Sequence, residues 1–174
     1  HGAYCKIEGF AFLSVTAMSM TLPTFVSQNL GAGQISRAKK GSAFGIVSGM
    51  AAAALTGVLI RCNVVPLLKL FVSTPEAIEF GMIHAGIVTT FYALLAFSHC
   101  AAGILRGCGK STVPMVVMLS FWCVTRSIYV TVILKFIPQF GMISWAYPLT
   151  WTLSSIVFTL YLLRLDWEKT SIQI

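Results

Sequence analysis

The sequence predicts an all-α membrane protein, a polytopic bundle of five transmembrane helices. Three observations carry this. The chain is 57% hydrophobic and only 10% charged, whereas a soluble domain devotes about a quarter of its residues to charge because its surface faces water. Five uncharged runs cover residues 9–36, 41–60, 80–105, 111–134 (interrupted by Arg126) and 136–163. Each reaches the roughly 20 residues a helix needs to cross a hydrocarbon core. An open strand leaves its backbone unpaired in lipid, so the runs are read as helices.

The first run ends in "QNLGAGQISRAKKG", residues 28–41. Gly31 and Gly33 can take the left-handed conformation that terminates a helix. Arg37, Lys39 and Lys40 follow as anchors among anionic headgroups. Gln28 and Asn29 are expected to hydrogen-bond across helices near a gate. Upstream, Met18, Met20 and several Ser and Thr surround Pro23, which removes a backbone donor and can bend the helix. Met18 offers an adaptable apolar surface, either for ligands or for ordinary packing.

In the second run Gly41, Gly45, Gly49, Ala53 and Gly57 recur every four residues. A row of small residues lets another helix approach closely, as a fixed face or a sliding one. Residues 61–79 hold an apolar stretch expected to form a short interfacial helix. "STPEAIE" then reads as a helix start, with a Ser or Thr cap, Pro in the first turn and acids near the N-terminus.

The third run carries Tyr92, Ser98 and His99. Polar groups inside a span face a cavity or a polar partner. This face either touches a substrate or glues neighbouring helices together. His84 and His99 stand fifteen residues apart, close to four turns, too far to share a metal. The run ends in Arg106, Gly107, Gly109 and Lys110, a second helix stop with a basic anchor. "GCGKST" imitates a phosphate-binding loop, but that loop needs Gly where Ile104 stands, and it follows a strand. Arg126 is the one charge within the fourth run; it snorkels or faces the bundle interior, where it would pin this helix to its neighbours or act in gating.

Twelve Lys and Arg against five acids give a net charge of +7. These bases form no stripe, so nucleic-acid binding is excluded as a partner class. Seven of them (Arg37, Lys39, Lys40, Arg106, Lys110, Arg164, Lys169) fall on one side, and three (Arg61, Lys69, Lys135) on the other. The positive-inside rule puts the first set and the C-terminus in the cytoplasm. All five acids are expected outside the membrane core. The five cysteines lack metal or disulfide spacing and read as small buried hydrophobes. No catalytic constellation or metal site is expected. The chain opens at His1, and five spans leave its ends on opposite faces, so it reads as a piece of a longer protein.

Four stretches together resemble the C-terminal half of a multidrug and toxic compound extrusion (MATE) transporter: "KIEGFAFL", "FVSQNLGAGQISRAKKG", "AAGILRGCGKSTVPM" with Pro114, and "ISWAYPLTW". The resemblance implies twelve helices in two six-helix lobes, with substrate between them. Residues 1–174 would be helices eight to twelve of the second lobe, without its first helix and the N-terminal lobe. It implies an antiporter of the inner (plasma) membrane that exports drugs or organic cations in exchange for sodium or protons. Part of the family has a coupling acid in the helix matching the third run; here Leu95 stands there, so the coupling ion is expected in the missing lobe. Tyr92, Ser98, His99 and Met18 would contact the cavity. A lipid-linked oligosaccharide flippase of related fold, or a nontransporting membrane scaffold, remains as an alternative.

Overall fold

The computed structural model describes residues 2–136 and 140–172. Residues 137–139, at the start of the fifth uncharged run, lie outside the described residues, as does the side chain of Lys169 counted with the tail. Five apolar helical stretches can cross a membrane: Lys6–Gly31, Ile35–Cys62, Pro75–Gly107, Thr112–Ile133 and Gly141–Leu163. The expected architecture is therefore present, and no strand occurs among the described residues.

The first span is α1 (Gly2–Gly31) and the second α2 (Ile35–Cys62). A short α3 (Val64–Lys69) follows, as the apolar stretch there predicted. The third span begins with α4 (Pro75–Val88). Thr74 is its extended N-cap and Pro75 opens its first turn, although Thr74 forms no side-chain cap hydrogen bond. A 3-10 turn at Thr89–Phe91 then joins α4 to α5 (Tyr92–Gly107). The fourth span is α6 (Thr112–Met118), a π-helical segment at Leu119–Thr125 and α7 (Arg126–Phe136). The fifth comprises α8 (Phe140–Ser144) and α9 (Ala146–Leu163), and α10 (Trp167–Ile172) trails it.

The α1–α2 and α5–α6 connections repeat one device. In the first, Gln34 N–H donates to the Asn29 carbonyl at 2.8 Å and Gly33 N–H to Leu30 at 2.9 Å. In the second, Lys110 N–H donates to Leu105 at 2.9 Å and Gly109 N–H to Arg106 at 3.0 Å. These are the paired bonds of a Schellman turn, whose pivot must be left-handed. Gly33 (φ 69°) and Gly109 (φ 73°) are those pivots. Gly31 and Gly107, each two residues earlier, remain helical. The first connection is so short that Arg37, Lys39 and Lys40 sit in the first turns of α2 rather than in a loop.

Span three is the axle of the bundle. Spans one and two pack on one side of it and on each other, and span five packs on the other side. The small-residue row of α2 forms its contact face. Gly41 meets the Phe25 ring, Gly49 lies against Cys100 and Met18, and Gly57 against the Thr89 carbonyl. Phe44, Val47, Leu55 and Leu59 point outward from the same helix and are exposed. In water such a surface is unfavourable; in a bilayer it is the solvent-facing side.

Side chains add bonds to the last carbonyls of α4, just before the 3-10 turn. Thr89 and Thr90 hydroxyls donate back to Ala85 and Gly86, at 2.7 and 3.2 Å. Arg61, in the last turn of α2, donates to the Gly86 carbonyl at 3.1 Å and the Thr90 hydroxyl at 3.0 Å.

Candidate functional site

Pro23 sets the geometry of span one. It has no N–H, so the Ser19 carbonyl lacks its helical donor. Span three fills the opening with residues that have no Cβ. A Cβ at Gly103 would lie 2.8 Å from the Ser19 carbonyl, and one at Gly107 would lie 2.7 Å from the Pro23 carbonyl. The Ser19 hydroxyl donates to the His99 carbonyl at 3.1 Å and accepts from Arg106 Nη2 at 3.1 Å. Span one is thereby locked to the His99–Arg106 face of span three.

Spans one and four stand either side of that face. The His99 imidazole lies edge-on between Phe12 of span one, centroids 6.0 Å apart, and Trp122 of span four, 5.2 Å apart. Its Nε2 is buried and has no hydrogen-bond partner among the described residues. A buried polar atom without a partner is costly, and here it sits in an aromatic niche. That niche can hydrogen-bond a ligand and enclose its apolar or cationic surface.

Trp122 belongs to the π-helical segment, where the Thr125 side-chain hydroxyl donates to the Ser120 carbonyl at 2.9 Å. Such segments reorient side chains and recur at functional sites. Arg126 follows immediately. Its guanidinium donates to the Thr150 hydroxyl at 3.0 Å and lies over the Tyr147 ring at 4.3 Å and the Trp122 ring at 5.8 Å. Arg126 thus faces the bundle interior and ties span four to span five, as expected of the interior alternative. Its Nε has no partner among the described residues.

Glu8 corrects the expectation that every acid lies outside the core. Among the described residues it is the one buried acid, 6% exposed, and it falls inside the first span. It lies within electrostatic range of Arg126, and Glu8 Oε1 has no hydrogen-bond partner among the described residues. The uncharged-run criterion missed it by starting the span one residue later, at Gly9. The Phe12 and Trp122 walls carried no distinguishing signal, because apolar aromatics are ordinary in any span.

The other expected residues are placed as follows. Tyr92 is buried, with its hydroxyl 3.0 Å from that of Tyr4. Ser98 is fully buried and bonds the Ser154 and Ser155 hydroxyls of span five, each at 3.0 Å. Met18 lies at the α1–α2 seam, against Gly49. The structure therefore brings His99 together with Arg106 through Ser19, sets Tyr92 and Ser98 in packed contacts, and leaves Met18 half-buried at the α1–α2 seam. Gln28 is exposed, and Asn29 donates to the Phe25 carbonyl of its own helix at 2.7 Å. Among the described hydrogen bonds the Asn29 amide thus meets its own helix, where a bond across helices was expected. Cys100 and Cys108 are buried as read, but Cys62 and Cys123 are exposed.

A sequence model of the MatE family matches residues 1–137. The chain belongs to the MatE family. It is 23% identical over 180 residues to the "Probable multidrug resistance protein NorM" of Thermotoga maritima, covering 99% of this chain and 37% of that protein. Two solved structures share the fold. One is a MATE protein in complex with MaD3S, with a TM-score of 0.82, 16% identity and coverage of 95% of this chain and 38% of that one. The other is the inward-facing conformation of a multidrug resistance MATE family transporter of the MOP superfamily, with a TM-score of 0.78, 18% identity and coverage of 94% and 37%. The MatE chain described here thus spans well under half the length of these relatives.

Proposed function

We propose that this MatE chain forms part of a secondary active antiporter that exports drugs or organic cations, and that the His99 niche between spans one and four is its share of the substrate path. The observation that carries this is the His99 imidazole, held between the Phe12 and Trp122 rings with its Nε2 buried and unbonded. Packing alone gives no reason to leave a polar nitrogen so placed; a ligand that visits the niche does. The relatives named for multidrug resistance support the same reading. Their coverage of 37% fits five spans of a twelve-helix transporter whose second lobe is only partly represented here.

In this reading the lobe rocks against a partner lobe in an inner membrane, with the C-terminus cytoplasmic, and the drug leaves outward. Sodium or a proton drives the cycle. Coupling is expected outside these five spans; Glu8 supports coupling within them as well, because a buried carboxyl within electrostatic range of Arg126 can gain or lose a cation as its access to water changes. Lipid-linked oligosaccharide transfer requires several cations for a pyrophosphate, and near the His99 niche Arg126 is already engaged by Thr150, Tyr147 and Trp122. A purely structural role leaves the His99 niche without a purpose.

The test is efflux of a cationic dye by the intact protein, in cells lacking their own pumps, under imposed sodium or proton gradients. His99→Ala and Trp122→Ala should lower efflux while membrane abundance is kept. Glu8→Gln should lower its dependence on the driving gradient. Dye retention that ignores both gradients would count against an antiporter, and scrambling of lipid-linked glycans in vesicles would favour the flippase.

A further inference from the structure

Away from the His99 niche, on the outer side of the α1–α2 pair, two neighbouring cavities share two lining residues, Phe25 and Gly41. One opens at the helix ends and is lined by Gln34, Ser36, Arg37 and Lys40, with Phe25 and Gly41 at its base. The other runs along the seam between Met18, Thr21 and Leu22 of α1 and Phe44 and Ser48 of α2, and shares Phe25 and Gly41 with the first. The upper cavity carries two cations and the lower one none; no acidic residue lines either.

We propose that this composite groove binds one anionic phospholipid, its phosphate between Arg37 and Lys40 and one acyl chain along Met18, Leu22 and Phe44. Charge complementarity selects the headgroup: basic pockets between membrane helices hold anionic headgroups. The first turn of α2 adds to the attraction. It contains no acid, and Gln34 makes no side-chain cap bond there, so its positive end is left uncompensated. Adjacency selects a lipid over a free phosphate, because the basic pocket borders an apolar groove and Phe25 and Gly41 line both. The small-residue row creates that groove: Gly41 and Gly45 let α1 settle close to α2, and the larger Phe25 and Phe44 then form its walls. The bound lipid fastens the α1–α2 hairpin, and with it the Ser19–His99 contact, to one leaflet.

Native mass spectrometry of the intact protein, titrated with phosphatidylglycerol or phosphatidylethanolamine, tests this. Arg37→Gln/Lys40→Gln should weaken phosphatidylglycerol binding by about 30-fold and leave phosphatidylethanolamine unchanged. Thr21→Phe, at an exposed groove position, should weaken phosphatidylglycerol binding with both cations intact. Lys69→Gln, an exposed base on α3 outside the groove, should have no effect. Undiminished phosphatidylglycerol binding by the double variant would overturn the proposal. So would an equal loss of both lipids, an equal loss in Lys69→Gln, or full phosphatidylglycerol binding by Thr21→Phe.

Discussion

Gly107 of span three rests directly on the Pro23 carbonyl of span one: a Cβ at Gly107 would stand 2.7 Å from that oxygen and 2.8 Å from the Val26 Cβ. Neither neighbour is the end of a flexible side chain, so neither can yield cheaply. Gly107→Val should therefore destabilise the bundle by about 1–3 kcal/mol or more, read as a lower Tm in detergent. The same substitution at Gly9, where no atom lies within 4 Å of a Cβ, should shift Tm far less.

The two Gly-x-Gly turns separate their glycines by function. Gly33→Ala and Gly109→Ala force a side chain into the left-handed region and should each cost about 1–2 kcal/mol. Gly31→Ala sits in helix with open space around it, and should be neutral or stabilising by up to about 1 kcal/mol. Denaturant titration of the three variants checks the ordering.

Arg126 acts through a planar guanidinium that reaches Thr150 while covering Tyr147. A lysine places a compact charge there without the stacked plane. Arg126→Lys should therefore fail to restore the stability lost in Arg126→Gln. A double-mutant cycle with Thr150→Val should return a coupling of about 1.5–3 kcal/mol, as for a hydrogen bond to a charged group. Coupling near zero would show that the contact contributes nothing.

Cys108 lies just beyond the third span, and burial pushes its thiol from 9.0 up to about 11. The thiolate is the reactive form. At neutral pH Cys108 should therefore react with maleimide about 100-fold more slowly than an ordinary thiol. Its rate should rise about tenfold per pH unit up to that raised value. Cys62, exposed at the end of α2, should label readily, and mass mapping of the adducts distinguishes the two sites.

The spans were legible because lipid imposes a length and a composition on every crossing helix. The Gly33 and Gly109 turns were legible because a left-handed pivot favours glycine. The sequence signalled neither the 3-10 turn at Thr89–Phe91 nor the π-helical segment at Leu119–Thr125. Both depend on partners distant in the chain: Arg61 bonds the first, and Trp122 meets His99 from the second. Glu8 was hidden by a boundary one residue wide. Asn29 was misjudged because a polar side chain beside a helix stop can bond its own backbone as readily as a neighbour's. His99 and Arg126 stood out as polar groups in apolar runs, but only tertiary packing could show which aromatics enclose them.

The central claim is that the His99 niche opens to water and to a ligand as the protein works, while the outer face of α2 meets lipid. The direct measurement is labelling by a water-soluble cationic methanethiosulfonate of single cysteines introduced at His99 and at Phe44 in the intact protein, its native cysteines replaced. The account predicts that His99→Cys reacts and that a transported organic cation slows the reaction, while Phe44→Cys stays inert. Reactive Phe44→Cys beside inert His99→Cys would contradict it.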